Sequence, residues 1–192
     1  NSHQSYTTLM NINIQGVFMQ DNQEKNDILF TEQQIAKRVV ELGQQITQDY
    51  QDSTRPFSVI AMLKGSTYFL ADLTRAIKLP LKFDFMAISQ VKSANIVQVT
   101  RDIEIDIAGN DVLVVEEIVR SGLTTHYMFE HLEKFNPASI NLVAMLANPD
   151  QLMINLPLNY IGFEIDYTRV VGYGLDYQEQ YRNLSYIKKL RE

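Results

Sequence analysis

The fold class of this protein is best indicated by residues 112–125, which read VLVVEEIVRSGLTT. The run begins with four apolar residues, mostly valine, a composition typical of a buried strand in a parallel sheet. Two glutamates, Glu116 and Glu117, follow where this strand is predicted to end. A Ser-Gly turn then leads into helical spacing from about Leu123 to Phe135. The stretch therefore predicts one strand, a polar turn and one helix.

The same alternation of strands and helices continues on both sides of this stretch. Upstream, Thr31 and Gln34 have the spacing of a capping box at the start of a helix of about 18 residues. A Lys-Gly-Ser turn at residues 64–66 separates a short apolar strand from a second helix. The predicted strands cover residues 57–63, 81–88, 96–107, 140–146, 160–164 and 170–173, and the second helix covers residues 68–77.

These elements predict an α/β fold with a mainly parallel, doubly wound sheet that is flanked by helices. We expect residues 1–30 to form an N-terminal arm and residues 31–192 to form a single domain. The arm and the polar, aromatic C-terminal segment are expected to form a small hood beside the sheet.

The composition limits the classes of partner and of site. The 17 Lys and Arg residues and 23 Asp and Glu residues give a net charge of −6, so the chain is a poor general partner for nucleic acid or a membrane surface. It contains no cysteine, which excludes disulfides, thiolate nucleophiles and Cys-ligated metal centres. No apolar run approaches the roughly 18 residues that span a bilayer. We expect a soluble, cytoplasmic protein.

Residues 116–125 are the strongest candidates for a ligand site, because sheets of this class bind ligands beyond the carboxyl ends of their strands. Backbone N–H groups and hydroxyls from Ser121 to Thr125 could hold a phosphate at the start of the helix. Glu116 and Glu117 could hold ribose hydroxyls or a hard cation such as Mg²⁺. An exposed turn capped by Ser121, without a ligand, fits the same residues, and spacing alone does not decide between the two.

Residues 112–125 resemble the phosphoribosyl diphosphate-binding motif of the type I phosphoribosyltransferases, in which two acids precede two apolar residues, a third acid, Thr-Gly and a hydroxyl. The chain is most similar to the hypoxanthine-guanine phosphoribosyltransferase family. Four further stretches agree with that family in the same order, and together they cover most of residues 57–187. They are Met62–Gly65 (MLKG), Phe83–Met86 (FDFM), Asp102–Ile107 (DIEIDI), and Val170–Tyr177 (VVGYGLDY) continued by Tyr181–Leu184 (YRNL).

The resemblance implies a Mg²⁺-dependent purine-salvage enzyme. It transfers the phosphoribosyl group of phosphoribosyl diphosphate to hypoxanthine or guanine, giving IMP or GMP and pyrophosphate. Its partners are then small-molecule substrates, and a homodimer or homotetramer is expected. By the same resemblance Lys64 and Arg182 are catalytic and, with Gly65, bind pyrophosphate. Ribose and the 5′-phosphate are assigned to Glu116, Glu117, Ser121, Gly122, Leu123, Thr124 and Thr125, the base to Asn148, Arg169, Val170 and Asp176, and the metal to Glu116, Glu117 and Asp176.

Four positions depart from the family pattern. Arg120 stands where the family has the acid that accepts the ring proton of the purine, and a guanidinium, always charged and without a lone pair, cannot act as a general base. Asn148 replaces the lysine that reads the exocyclic oxygen. Arg169 replaces the aromatic ring that stacks on the base, although Tyr167 is close enough in sequence to substitute. The loop at residues 89–95 is about four residues shorter than the family's mobile loop and lacks its Ser-Tyr pair.

Two functions follow from these residues. The first is a purine-salvage enzyme, slow or altered in base preference, whose rate climbs with pH as the substrate ionises without help. The second is a catalytically impaired protein of the same fold that binds nucleotide or phosphoribosyl diphosphate as a regulatory ligand, because the charge of Arg120 beside the phosphate loop favours anions. A nucleic-acid regulator would need a basic face that the net charge of −6 does not indicate.

Overall fold

The computed structural model describes residues 27–91, 96–166 and 169–190 of the 192-residue chain. The helices in these ranges are α1 (Glu32–Tyr50), α2 (Thr67–Ala76) and α3 (Leu123–Glu133), and Pro149–Gln151 form one turn of 3-10 helix. The strands are β1 (Ile28–Phe30), β2 (Phe57–Met62), β3 (Lys82–Val91), β4 (Ile96–Arg101), β5 (Asp111–Val119), β6 (Ser139–Ala147), β7 (Leu158–Glu164), β8 (Val170–Val171) and β9 (Ile187–Lys189). No helix in these ranges is both long enough and apolar enough to span a membrane.

The larger sheet has six strands in the order β4-β3-β2-β5-β6-β7. Neighbouring strands are parallel except for β3 and β4, which pair antiparallel. Helices α1 and α2 pack on one face of this sheet, and α3 packs on the other. The predicted α/β class with a mainly parallel, helix-flanked sheet is confirmed.

Strand β5 lies between β2 and β6 and carries the central part of the core. Val112 and Val114 pack in the cluster beneath α3, whereas Leu113 and Val115 pack in the cluster beneath α1 and α2. Successive side chains of a strand point to opposite faces. The next two residues, both glutamates, are therefore sent to opposite sides of the sheet.

Helix α1 begins with the predicted capping box. The Gln34 backbone N–H donates to the Thr31 hydroxyl, and the Gln34 side chain accepts from the Thr31 backbone N–H. Further along the helix, the Arg38 guanidinium donates to the carbonyl oxygens of Ile161 and Gly162 at 2.7 and 2.9 Å. These contacts fix α1 against β7, at the edge of the sheet.

A second, three-stranded antiparallel sheet in the order β1-β9-β8 forms the predicted hood. Phe30 of β1 stacks on Phe163 of β7 with ring centroids 4.0 Å apart, which attaches the hood to the larger sheet. The C-terminal segment contributes strand β9 to this hood. Residues 1–26 lie outside the described residues, so the division into an arm and a domain stays a prediction.

Three strand ends differ from the prediction by three residues or more. Strand β3 continues past residue 88 to Val91, because β4 pairs with it there, so the first three residues of the predicted loop at 89–95 belong to the strand. Strand β5 continues through Glu116 and Glu117 to Val119, because β6 pairs with it as far as Ala147. The glutamates therefore lie within the strand instead of after it. Strand β4 ends at Arg101 instead of near residue 107. The backbone N–H groups of residues 104 and 105 donate to the Asp84 carboxylate, so they are not available for hydrogen bonds to a neighbouring strand.

Candidate functional site

A polar cavity of about 460 Å³ opens at the carboxyl ends of β2 and β5. Its walls come from the end of β2, the second half of β5, the first turn of α3 and the segment after β8. Predicted site residues from distant parts of the sequence line it together: Glu116, Glu117, Arg120, Ser121, Gly122, Thr124, Thr125, Val170 and Asp176. This position agrees with the rule that doubly wound sheets bind ligands at the carboxyl ends of their strands.

Glu116 faces α3 and is 5% exposed. The hydroxyl of Thr125, in the first turn of α3, donates to Glu116 Oε1 at 3.2 Å. Burial, and after it the charge of Glu117, raises the pKa of Glu116 well above its usual range, and the hydrogen bond from Thr125 opposes this shift. A carboxylate in such a place is stabilised by any hydroxyl or cation that a ligand brings to it.

Glu117 faces the opposite side of β5 and packs against Gly65, in the turn after β2. A Cβ atom at Gly65 would overlap the carboxyl group of Glu117, so this approach requires glycine. Burial raises the pKa of Glu117, and the positive charge of Arg182 offsets that shift in part. Glu117 Oε2 is buried and has no hydrogen-bond partner among the described residues. A buried oxygen without a partner indicates a place for a ligand donor or a cation.

The start of α3 forms the second wall of the cavity. Its N-cap is Gly122, with a φ of 80°, and this residue has no side chain to cap the helix. The Leu123 backbone N–H lies 3.5 Å from the Ser121 hydroxyl, at the limit of hydrogen-bond distance, so the alternative of a turn capped by Ser121 stays open. The first N–H groups of a helix have no partners within it and lie at the positive end of its dipole. Ser121 to Thr125 consequently offer both donors and favourable electrostatics to an anion in the cavity.

The segment after β8 supplies a charged third wall. Asp176 lines the cavity, and its Oδ1 lies 2.8 Å from Arg182 Nη2. Arg182 Nη1 donates to the carbonyl oxygen of Gly174 at 2.8 Å, while its buried Nε has no partner among the described residues. Lys64, in the turn after β2, forms an ion pair with Glu179 at 2.9 Å. Charged groups from two distant segments thus meet at one edge of the cavity.

Arg120 follows the last residue of β5, is exposed, and lines the cavity. In the part of the chain that the structure describes, it forms neither a hydrogen bond nor an ion pair. Its charge still lowers the pKa of Glu117, against the larger and opposite effect of burial. The guanidinium is therefore available to an anionic ligand.

Several predicted site residues lie outside the cavity lining: Lys64, Gly65, Leu123, Asn148, Arg169 and Arg182. Gly65 borders it through Glu117 and Arg182 borders it through Asp176, while Lys64 directly follows the lining residue Leu63. Leu123 is an exposed residue at the start of α3. The residues that are predicted to bind phosphate, ribose and pyrophosphate thus lie together in or beside this cavity.

The predicted base-binding residues are divided. Val170 and Asp176 line the cavity, but Asn148 lines a neighbouring cavity of about 310 Å³ together with residues of β1. The backbone N–H of Asn148 donates to the carbonyl oxygen of Val119 at 3.0 Å, beside the end of β5. Arg169 is exposed just before β8. Tyr167 and residues 92–95 of the short loop lie outside the described residues.

Two residues of the site, Gly174 and Glu179, are not among the predicted site residues. A Cβ atom at Gly174 would overlap the carbonyl oxygen of Gly65, so Gly174 lets the segment after β8 approach the turn after β2. Glu179 holds Lys64 at the cavity edge. The sequence feature that could have identified Glu179 is its spacing, three residues from Asp176 and three from Arg182 in the same segment.

We expect Glu116→Gln to increase the free energy of unfolding at pH 8 but not at pH 4.5, by about 1–2 kcal/mol, the scale for relieving a poorly satisfied buried polar group. The folded-state pKa of Glu116 lies above its ordinary value, so the contribution of this group to stability is complete below the unfolded pKa and is lost as the pH rises through the folded pKa. Glutamine does not ionise and avoids that loss.

Urea unfolding in EDTA between pH 4.5 and 8.5 measures this difference, because EDTA removes any cation that would stabilise the carboxylate. The exposed Glu104→Gln, which removes one charge outside the cavity lining, is the matched control. A stability difference between Glu116→Gln and the unmodified protein that stays constant over this pH range would contradict the expectation.

The chain is similar to known proteins along most of its length. Residues 25–178 match the phosphoribosyl transferase domain family. The hypoxanthine-guanine phosphoribosyltransferase of Mycobacterium tuberculosis is 42% identical over 171 residues, which cover 85% of this chain and 85% of that protein. The hypoxanthine phosphoribosyltransferase of Escherichia coli is 38% identical over 168 residues, covering 85% of this chain and 94% of that protein. A crystal structure of a hypoxanthine-guanine phosphoribosyltransferase from Bacillus anthracis matches with a TM-score of 0.82 and 37% identity, covering 86% of this chain and 98% of that one.

Proposed function

Since the chain belongs to the hypoxanthine-guanine phosphoribosyltransferase family, we propose that it transfers the phosphoribosyl group of phosphoribosyl diphosphate to a ring nitrogen of hypoxanthine or guanine. The products are IMP or GMP and pyrophosphate, which makes the protein an enzyme of purine salvage. The observation that carries this proposal is one cavity in which the carboxylates of Glu116 and Glu117 meet a helix amino terminus whose N-cap is a glycine.

The reaction needs positive charge at the departing pyrophosphate and fixed acceptors at the sugar. Negative charge grows on pyrophosphate as the bond to the sugar breaks, while the ribose ring becomes cationic. Lys64 and Arg182 supply the positive charge at the leaving group. Gly65 lies next to Lys64 in the turn after β2 and packs against Glu117. Glu116 and Glu117 accept from the ribose hydroxyls. The N–H groups and hydroxyls from Ser121 to Thr125 hold the 5′-phosphate.

The residues of the site fit Mg²⁺. Glu117 Oε2 is buried without a partner, Asp176 lines the same cavity, and carboxylate oxygens are the ligands this cation prefers. Within the described ranges no three His, Cys, Asp or Glu side chains form a complete metal site, which suits an ion that is bound partly by substrate oxygens. We assign it to Glu117 and Asp176, with Glu116 beside them. When bound, Mg²⁺ neutralises charge on the leaving pyrophosphate.

The base side of the site lacks a proton acceptor at Arg120. A guanidinium has no lone pair, so Arg120 cannot take the ring proton of the purine. Val170 offers an apolar surface to the ring, and we keep Asn148 and Arg169 as proposed base contacts. The purine must then lose its proton to solvent before it reacts.

The rate of the unmodified protein is therefore expected to climb with pH between 7 and 9.5. The reacting form is the purine anion, whose fraction rises about tenfold per pH unit below the pKa of the base. Formation of IMP and GMP in saturating Mg²⁺ and phosphoribosyl diphosphate measures this profile. A flat profile with normal turnover would mean that another residue supplies the base.

A second candidate function, a regulatory binder of nucleotide or phosphoribosyl diphosphate, is favoured by the guanidinium of Arg120, which lines the cavity and pairs with no acid among the described residues. Calorimetry with GMP, IMP and phosphoribosyl diphosphate, beside a turnover assay on hypoxanthine, guanine, xanthine and adenine, separates the two. Tight binding without product supports the binder, and product formation excludes it.

We also propose that the protein acts in the cytoplasm on small-molecule substrates and assembles as a homodimer or homotetramer. Family membership supports both statements. Light scattering of the purified chain measures the assembly.

A further inference from the structure

The carboxylate of Glu179 contacts both Lys64 and Arg182, the two cations that the proposed function assigns to pyrophosphate. Glu179 Oε2 lies 2.9 Å from Lys64 Nζ, and Glu179 Oε1 lies 3.4 Å from Arg182 Nη2. Two oxygens shared between a lysine and an arginine form the same pairing that a phosphate group makes.

The backbone holds Glu179 in this position at some cost. Gln178 and Glu179 have φ values of 52° and 63°, in the left-handed region that favours glycine or asparagine. Tyr177 and Gln180 exchange two backbone hydrogen bonds across them, at 3.1 and 3.2 Å, which makes a tight turn of the primed type. The Glu179 backbone N–H also donates to Asp176 Oδ2 at 2.9 Å. The turn thus ties Glu179 to the wall of the cavity.

The ion pair between Lys64 and Glu179 is the part of this cluster that can open. Both side chains are 67% exposed, and exposed pairs of this kind add little to stability. Arg182 is only 22% exposed and is also held by Asp176 and the carbonyl oxygen of Gly174. An incoming anion can therefore draw Lys64 away from Glu179 while Arg182 keeps its place.

We infer that Glu179 is a positioning residue that takes the place of pyrophosphate between Lys64 and Arg182 in the free protein and is displaced when phosphoribosyl diphosphate binds. This inference rests on the proposed function. Because Glu179 competes with pyrophosphate for Lys64 and Arg182, it weakens the affinity of the protein for pyrophosphate and favours release of that product after each transfer.

Titration of magnesium pyrophosphate by calorimetry tests this role. Glu179→Gln keeps the size of the side chain and removes the competing charge, so its dissociation constant for pyrophosphate is expected to fall about threefold to tenfold, the scale of one or two exposed ion pairs. The KM for phosphoribosyl diphosphate should fall with it, while the KM for the purine base should not change. Glu104→Gln, which removes a carboxylate paired with Arg101 at 3.6 Å outside the cavity, should change neither.

The outcomes separate this inference from the proposed function. Equal or weaker pyrophosphate binding by Glu179→Gln, in a protein that still makes IMP, overturns the role of Glu179 and leaves the enzyme in place. No pyrophosphate binding and no product from the unmodified protein overturns both. If Glu179→Gln does not fold, Glu179→Gly carries the same expectation, because glycine suits the left-handed backbone at this position.

Discussion

Arg120→Asp is expected to raise kcat/KM for hypoxanthine at pH 7 by about 10²-fold or more, towards the roughly 10⁴-fold limit of general base catalysis. The substitution restores a proton acceptor at an exposed position that lines the cavity and makes no ion pair in the described part of the chain. It should also flatten the rise of rate with pH, because the purine no longer has to ionise in solution. Initial rates of IMP formation between pH 6.5 and 9.5 measure both effects.

Arg120→Gln is the matched control for Arg120→Asp. It removes the positive charge but provides no base of useful strength, so its rate at pH 7 should stay near that of the unmodified protein. Equal gains from the Asp and Gln variants would show that the charge of Arg120 hinders the reaction and that a missing base does not. No product from any variant, with GMP still bound, would support the regulatory binder.

Gly174→Ala is expected to lower the free energy of unfolding by about 2–4 kcal/mol, because backbone strain and a steric overlap add together. Gly174 has a φ of 99°, and a Cβ atom there would overlap the carbonyl oxygen of Gly65. Separation of these two segments would also move Asp176 and Arg182 away from Glu117, so affinity for pyrophosphate should fall. Urea unfolding and pyrophosphate calorimetry report the two effects.

Gly109→Ala separates strain from overlap. Gly109 also has a positive φ, 69°, but nothing lies within 4 Å of the position of its Cβ atom. This variant should lose only about 1–2 kcal/mol, the value for an alanine in left-handed backbone, and should bind pyrophosphate normally. Equal losses in the two variants would contradict a close approach of residues 65 and 174.

The parts of the fold that can be predicted from the sequence are those specified by neighbouring residues. The capping box of Thr31 and Gln34 and the β5-turn-α3 unit are such parts, and the structure confirms both. The pairing of Ile28 with Lys188 joins two segments that are far apart in the sequence. Their strands have only three residues each, too few to show the alternation of apolar and polar residues that predicts a strand. The length of β5 also depends on a partner, since β6 keeps its last residues in the sheet.

In the candidate site, too, the contacts between neighbouring residues can be predicted and the contacts between distant segments cannot. Glu116, Glu117 and the residues from Ser121 to Thr125 are continuous in sequence, so one motif predicts their meeting at the cavity. The packing of Gly174 on Gly65 and the double ion pair of Glu179 depend on how two distant segments fold together, and no local pattern gives such contacts. Asn148 follows β6 and lies beside Val119, yet it lines another cavity, because neighbouring strand ends do not fix where the following side chain lies.

A crystal structure of the protein with GMP and Mg²⁺ tests the proposed site directly. We expect the 5′-phosphate on the N–H groups and hydroxyls from Ser121 to Thr125, and the ribose hydroxyls within hydrogen-bond distance of Glu116 and Glu117. A phosphate bound elsewhere, with this helix amino terminus still facing solvent, would contradict it.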